Sequence, residues 1–281
     1  MTGLETVSAT KSHGGVQGVY RHQSQATGGT MTFSVFVPPH REGARLPVLW
    51  YLSGLTCTHA NVTDKGEFRA ACAKHGIVFI APDTSPRGAN VPDDDAYDFG
   101  QGAGFYVNAT QTPWAQHFQM RQYVEQELPT LIAAAFPMVD MAAQAITGHS
   151  MGGHGALTVA LRNPARFASV SAFAPIVSPL HCPWGEKALG GYLGSDRAAW
   201  RAYDACALID DGARLGELLI DQGDADNFLA EQLRPELLQA ACDKAGIVLN
   251  LRMQRGYDHS YNFISTFMAE HICWHAERLR R

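Results

Sequence analysis

Short apolar runs rich in β-branched residues alternate with longer segments of helical periodicity along most of this chain, and that alternation leaves few architectures open. Phe33 to Val37, Pro47 to Leu52, Gly76 to Ala81, Gln144 to Thr147, Ala168 to Phe173, Glu217 to Asp221 and Ile247 to Met253 read as strands. Between them, Glu67 to Lys74, Trp114 to Ala135, Met151 to Leu161, a stretch near Ala198 to Tyr203, Asn227 to Lys244 and Tyr261 to Arg278 read as helices. Gly76 to Ala81 is apolar without alternation, as a strand covered on both faces must be. The pattern predicts an α/β fold: a mainly parallel central sheet flanked by helices on both faces. No internal repeat or low-complexity linker divides the chain, so residues 1–281 are expected to form one domain. A chain of this length buries roughly 75% of its extended surface, enough for a large single core.

The charge balance is mildly acidic, with 22 Lys and Arg against 27 Asp and Glu and no basic run. Nucleic acid and anionic membrane surfaces are therefore poor partners. No apolar stretch of 18 residues exists to span a bilayer, and Met1 to Tyr20 lacks the apolar region of a signal peptide. The six cysteines (Cys57, Cys72, Cys182, Cys206, Cys242, Cys273) are scattered, with no C-x-x-C pair for zinc or dithiol chemistry. Free thiols in a reducing, cytoplasmic setting are expected, with no metal and no cofactor.

Two long irregular segments, Asp83 to Thr112 and Ala174 to Leu193, interrupt the pattern, and loops of that length are often functional. The strongest chemical signal lies between them. Gly148-His149-Ser150-Met151-Gly152 matches G-x-S-x-G and sits after an expected strand and before an expected helix. Such an elbow holds a serine on a strained backbone with its oxygen above the sheet, and the glycines relieve crowding. The pentapeptide alone is equally a tight turn; the strand-to-helix context makes Ser150 a nucleophile.

A serine needs a base, and the base needs an orienting carboxylate. In this architecture the chain order is serine, acid, histidine. After the strand at Glu217, three aspartates are available, Asp221, Asp224 and Asp226. Asp221 still belongs to the strand; Asp226 lies far enough into the loop to reach sideways, and Asp224 is the alternative. Of the downstream histidines, His271 and His275 fall in the last helix, where a solvated or packed imidazole is ordinary. His259 occupies the polar loop between the last strand and that helix, the place from which a base reaches the serine. His149 and His154 are expected to be structural, His149 turned away from the serine inside the elbow. Oxyanion donors are expected at the backbone N–H of Met151 and of Leu55, in the glycine-containing loop after Leu52.

With these residues in hand, the chain resembles the S-formylglutathione hydrolase (esterase D) family of the α/β-hydrolase superfamily. The resemblance runs through Tyr51-Leu52-Ser53-Gly54-Leu55-Thr56-Cys57-Thr58, Ala81-Pro82-Asp83-Thr84-Ser85-Pro86-Arg87-Gly88 and Gly102-Ala103-Gly104-Phe105-Tyr106-Val107. It continues through Gly148 to Ala156, Cys182-Pro183-Trp184-Gly185, Ile220-Asp221-Gln222-Gly223 and Gly256-Tyr257-Asp258-His259-Ser260-Tyr261. It implies Ser150 as nucleophile, Asp226 as orienting acid, His259 as base, and donors at Leu55 and Met151. It also implies hydrolysis of S-formylglutathione to glutathione and formate in formaldehyde detoxification, by a metal-free cytoplasmic enzyme that is commonly a homodimer.

The family is sensitive to thiol reagents at the position of Cys57, which is expected to line the pocket without attacking substrate. Trp184 is a second candidate for the pocket wall. His59 stands where the family often has an acidic residue, and no role is assigned to it. Asp93-Asp94-Asp95 reads as a solvated loop rather than a cation site. The alternatives are a broad carboxylesterase or acyltransferase on the same fold, and a non-catalytic binding protein.

Overall fold

The strand-forming runs assemble into one nine-stranded sheet in the computed structural model, which describes residues 3–280. In chain order the strands are β1 (Glu5–Ser12), β2 (Gly15–Ser24), β3 (Gly29–Val37), β4 (Leu46–Leu52), β5 (Val78–Pro82), β6 (Val139–Gly148), β7 (Phe167–Phe173), β8 (Glu217–Gly223) and β9 (Val248–Gln254). Their spatial order is β1-β2-β3-β5-β4-β6-β7-β8-β9. The run from β5 to β9 is parallel, as the alternation predicts. β1, β2 and β3 add antiparallel neighbours on the β5 side. Neither β1 nor β2 is legible in the sequence reading. β1 is exposed along almost its whole length, so ETVSATKS carries no apolar stripe to betray it.

The helices are α1 (His59–Lys65), α2 (Arg69–His75), α3 (Met120–Gln122), α4 (Leu128–Ala135), α5 (Met151–Arg162), α6 (Pro183–Leu193), α7 (Arg197–Trp200), α8 (Ala205–Asp210), α9 (Pro235–Ala245) and α10 (Tyr261–Leu279). α1, α2 and α10 pack together against one face of the sheet, while α4, α5, α8 and α9 cover the other. None of the described helices is long and apolar enough to cross a membrane.

Two expected helices prove shorter than their periodicity. The Trp114 to Ala135 segment is interrupted before Met120, where Gln119 bridges to Asn108. The Asn227 to Lys244 segment is cut at Arg234, whose φ of 49° is left-handed. Pro235 follows, and proline disfavours the right-handed helical conformation in the residue before it. Conversely, α6 forms inside the segment read as irregular. Its three glycines lower helix propensity, but a Cβ at Gly185 would meet Pro179 O at 2.2 Å, so packing outweighs propensity there.

The chain's chemistry gathers where the parallel strands end. The C-terminal ends of β4, β6, β8 and β9 lead into the loops of Gly54, Ser150, Asp226 and His259 respectively. Open parallel sheets bind ligands at that edge.

Candidate active site

Ser150 stands between the last residue of β6 and the first of α5, with φ 57° and ψ −118°. A non-glycine residue holds that left-handed backbone only when its surroundings impose it. Here His149 N–H donates to Leu52 O at 3.0 Å, Ser150 N–H to Phe173 O at 3.0 Å and Gly152 N–H to His149 O at 2.7 Å. The flanking glycines are required by close approach rather than by their own dihedrals. A Cβ on Gly152 would lie 1.9 Å from Leu52 O, and one on Gly148 would lie 2.2 Å from Gly152 O. The elbow presses helix against strand so closely that hydrogen is the only side chain that fits.

Ser150, 3% exposed, opens onto a cavity of about 190 Å³. The loop Gly54 to Cys57 forms one part of its wall, His149 and His259 another, and Tyr97, Trp184 and Phe228 an aromatic remainder. His259 Nδ1 lies 2.5 Å from Asp226 Oδ2. A carboxylate only accepts, so Nδ1 carries the proton and Nε2 is left with its lone pair. Asp226 is itself held by Phe228 N–H at 2.8 Å and Gln222 Nε2 at 3.2 Å, which fix both of its oxygens.

The other candidates are committed elsewhere. Asp224 accepts Gly256 N–H at 2.6 Å and clasps the loop after β9. Asp221 pairs through both oxygens with Arg252. Burial pushes its carboxyl up, but His271 and Arg252 together outweigh burial and hold it below the ordinary value. His275 bonds Ser169 and Ser171, His271 bonds Ser171, and His154 Nε2 donates to Phe105 O at 2.9 Å. All three rings are fully buried, so they belong to the interior. Asp93 Oδ1 accepts the N–H groups of Asp94 and Gln101, closing its own loop.

The Leu55 loop abuts the serine: a Cβ added to Gly54 would lie 3.1 Å from Ser150 Cβ. Neither Leu55 N–H nor Met151 N–H has a hydrogen-bond acceptor among the described residues. Met151 opens α5, and the first N–H groups of a helix have no partner within it and carry its positive end. Two free donors and a helix terminus therefore flank the serine, an arrangement suited to an anionic oxygen.

Cys57 and Trp184 both line the cavity. Cys57 is a free, half-buried thiol whose pKa is raised chiefly by burial. Trp184 Nε1 donates to Tyr97 OH at 3.1 Å, and its ring centre lies 4.7 Å from that of Phe228, which lies 5.1 Å from that of His259. His59 lies outside the cavity wall.

Four participants escaped the sequence reading. Phe228 and Gln222 sit two residues after and four before Asp226, and proximity was their only signal. Tyr97 lies in a loop without periodicity. His149 is the largest departure: expected to turn away from the site, it lines the cavity with its ring centre 4.4 Å from that of His259. The room comes from the facing loop, because a Cβ on Gly54 would sit 3.2 Å from His149 Nδ1.

The sequence profile of the Esterase family matches residues 24–274. An S-formylglutathione hydrolase of Paracoccus denitrificans (strain Pd 1222) is 56% identical over 275 residues, 98% of each chain. One of Mus musculus is 51% identical over 280 residues, 98% of this chain and 99% of the relative. Among solved structures, an S-formylglutathione hydrolase from Agrobacterium tumefaciens is similar at 57% identity and a TM-score of 0.96, covering 98% of this chain and 99% of its own.

Proposed function

This chain belongs to the S-formylglutathione hydrolase group of the Esterase family, and from that premise we propose how it cleaves S-formylglutathione to glutathione and formate. Ser150 is the nucleophile, His259 the base and Asp226 the group that orients it. The observation that carries this reading is the joint opening of Ser150 and His259 onto one cavity, with Asp226 bonded to the far nitrogen of His259.

His259 Nε2 takes the Ser150 proton as Oγ attacks the formyl carbon. The carbonyl oxygen becomes an oxyanion received by the N–H groups of Leu55 and Met151. Loss of one such donor costs about 100- to 1,000-fold in turnover. The C–S bond then breaks, His259 passes its proton to the departing glutathione sulfur, and a formyl ester remains on Ser150. Water attacks that ester, giving a proton to His259; formate leaves, and the proton returns to Ser150 Oγ.

Cavity size decides what the site can enclose. About 190 Å³ is below the roughly 300 Å³ of a pocket for a drug-sized ligand. A formyl thioester fits inside, whereas the tripeptide must run out past the aromatic wall and bind on the surface. Simple esters with small acyl groups enter equally well, so the thiol arm supplies the preference. The family membership further supports a homodimer acting in the cytoplasm without metal, cofactor or nucleic acid.

Kinetics with S-formylglutathione and with p-nitrophenyl acetate test the substrate assignment. A kcat/KM for the thioester at least tenfold above that for the ester is expected. The reverse order would replace a dedicated thioesterase with a general carboxylesterase.

A further inference from the structure

His259 is restrained toward Asp226 by one hydrogen bond, from Nδ1 to Oδ2 at 2.5 Å. One such bond leaves the imidazole free to swing about it, and only packing limits that swing. Two rings touch His259: Phe228, edge-on at 5.1 Å between centres, and His149, tilted by 45° at 4.4 Å. His149 is the closer and the more firmly anchored, because its backbone is part of the nucleophile's elbow. Its N–H bonds Leu52 O, its carbonyl accepts Gly152 N–H, and its chain neighbour is Ser150.

His149 is also unusual chemically. It is 5% exposed, and neither ring nitrogen finds a hydrogen-bond partner among the described residues. Its ring centre is 6.2 Å from that of Tyr261, two residues beyond His259, so one side chain braces both ends of the base's turn. Burial, reinforced by the neighbouring charge of His259, outweighs the opposing pull of the His259 main chain and keeps the imidazole neutral. A cation in this position would oppose the imidazolium that His259 becomes during the reaction; a neutral ring does not.

We infer that His149 is a positioning residue, which indexes the His259 ring to the backbone that carries Ser150 and shields it from water. The inference rests on His259 being the base. Misplacement of a reacting group by about 1 Å costs on the order of 100-fold in rate. The effect belongs in kcat rather than KM, because on the proposed reading the glutathione arm lies outside this contact.

The test compares kcat and KM of wild type, His149→Ala, His149→Phe and His259→Ala in S-formylglutathione hydrolysis, with thermal midpoints as a fold control. In His149→Ala, kcat falls about 10- to 100-fold while KM stays within threefold. His149→Phe restores a ring and recovers most of kcat. Should the alanine variant not fold, His149→Asn supplies the same comparison. Unchanged kcat in His149→Ala (or His149→Asn), with His259→Ala inactive, overturns the positioning role alone. Retained activity in His259→Ala instead removes the base assignment on which it rests.

Discussion

Replacing Gly152 by alanine adds one methyl group to a buried residue of no chemical function, yet it should cripple the enzyme. The new Cβ would lie 1.9 Å from Leu52 O, 2.3 Å from Leu52 C and 2.6 Å from Ser53 O. All three are main-chain atoms that no rotamer change can move. The first contact falls about 1.5 Å short of the 3.4 Å at which ordinary van der Waals contact begins. Leu52 is paired with Gly148 across β4 and β6 and accepts His149 N–H, so the strand resists retreat and α5 must yield. Overpacking of a rigid interior costs about 1–3 kcal/mol, which for a chain of this size lowers the thermal midpoint by roughly 2–10 °C. The displacement separates the Met151 N–H from the Leu55 loop, and a shift of about 1 Å in such a constellation costs on the order of 100-fold in rate. The assay is hydrolysis of S-formylglutathione, followed by loss of thioester absorbance, alongside a thermal melt. Gly216→Ala is the control, because nothing lies within 4 Å of its added Cβ. Wild-type turnover and melting in Gly152→Ala would refute the steric account of the elbow.

Two further outcomes follow from burial. His154, fully buried, has its pKa pushed down to about 4, chiefly by burial. The unfolded chain takes up that proton near pH 6.5 and the folded chain only near 4, so stability on the order of 3 kcal/mol is lost as pH falls across that window. His154→Gln, which keeps a donor for Phe105 O, should show a smaller drop in urea midpoint between pH 7 and 4.5 than wild type; an equal drop would clear His154 of the effect. Cys57→Ser should keep most activity and lose sensitivity to iodoacetamide. In wild type, inactivation should accelerate above neutral pH, because burial keeps the thiol protonated. An inactive Cys57→Ser variant would contradict a lining role.

What the sequence discloses is governed by how locally each feature is determined. Val78–Pro82 is legible because both faces of a central parallel strand are covered, so every residue is apolar. β1 is not, because a strand exposed on its faces needs no apolar residue at all. Arg234 could have been placed from Pro235 alone, by a purely local clash. The α6 helix could not, because its glycines are justified only by the approach of Pro179. The site divides in the same way. Chain order and loop position pick out Ser150 and His259, which line one cavity, and Asp226, which is bonded to His259 from outside it. His149 and Phe228 became visible only in three dimensions, where the absence of a Cβ on Gly54 and the turn after Asp226 bring their rings to His259.

Hydrolysis of S-formylglutathione by wild type and by Ser150→Ala, each confirmed folded by its thermal melt, tests the central assignment most directly. The serine nucleophile predicts a fall in kcat of about 10⁴-fold or more, with only binding and the oxyanion donors left to act. Turnover in Ser150→Ala within tenfold of wild type would contradict it.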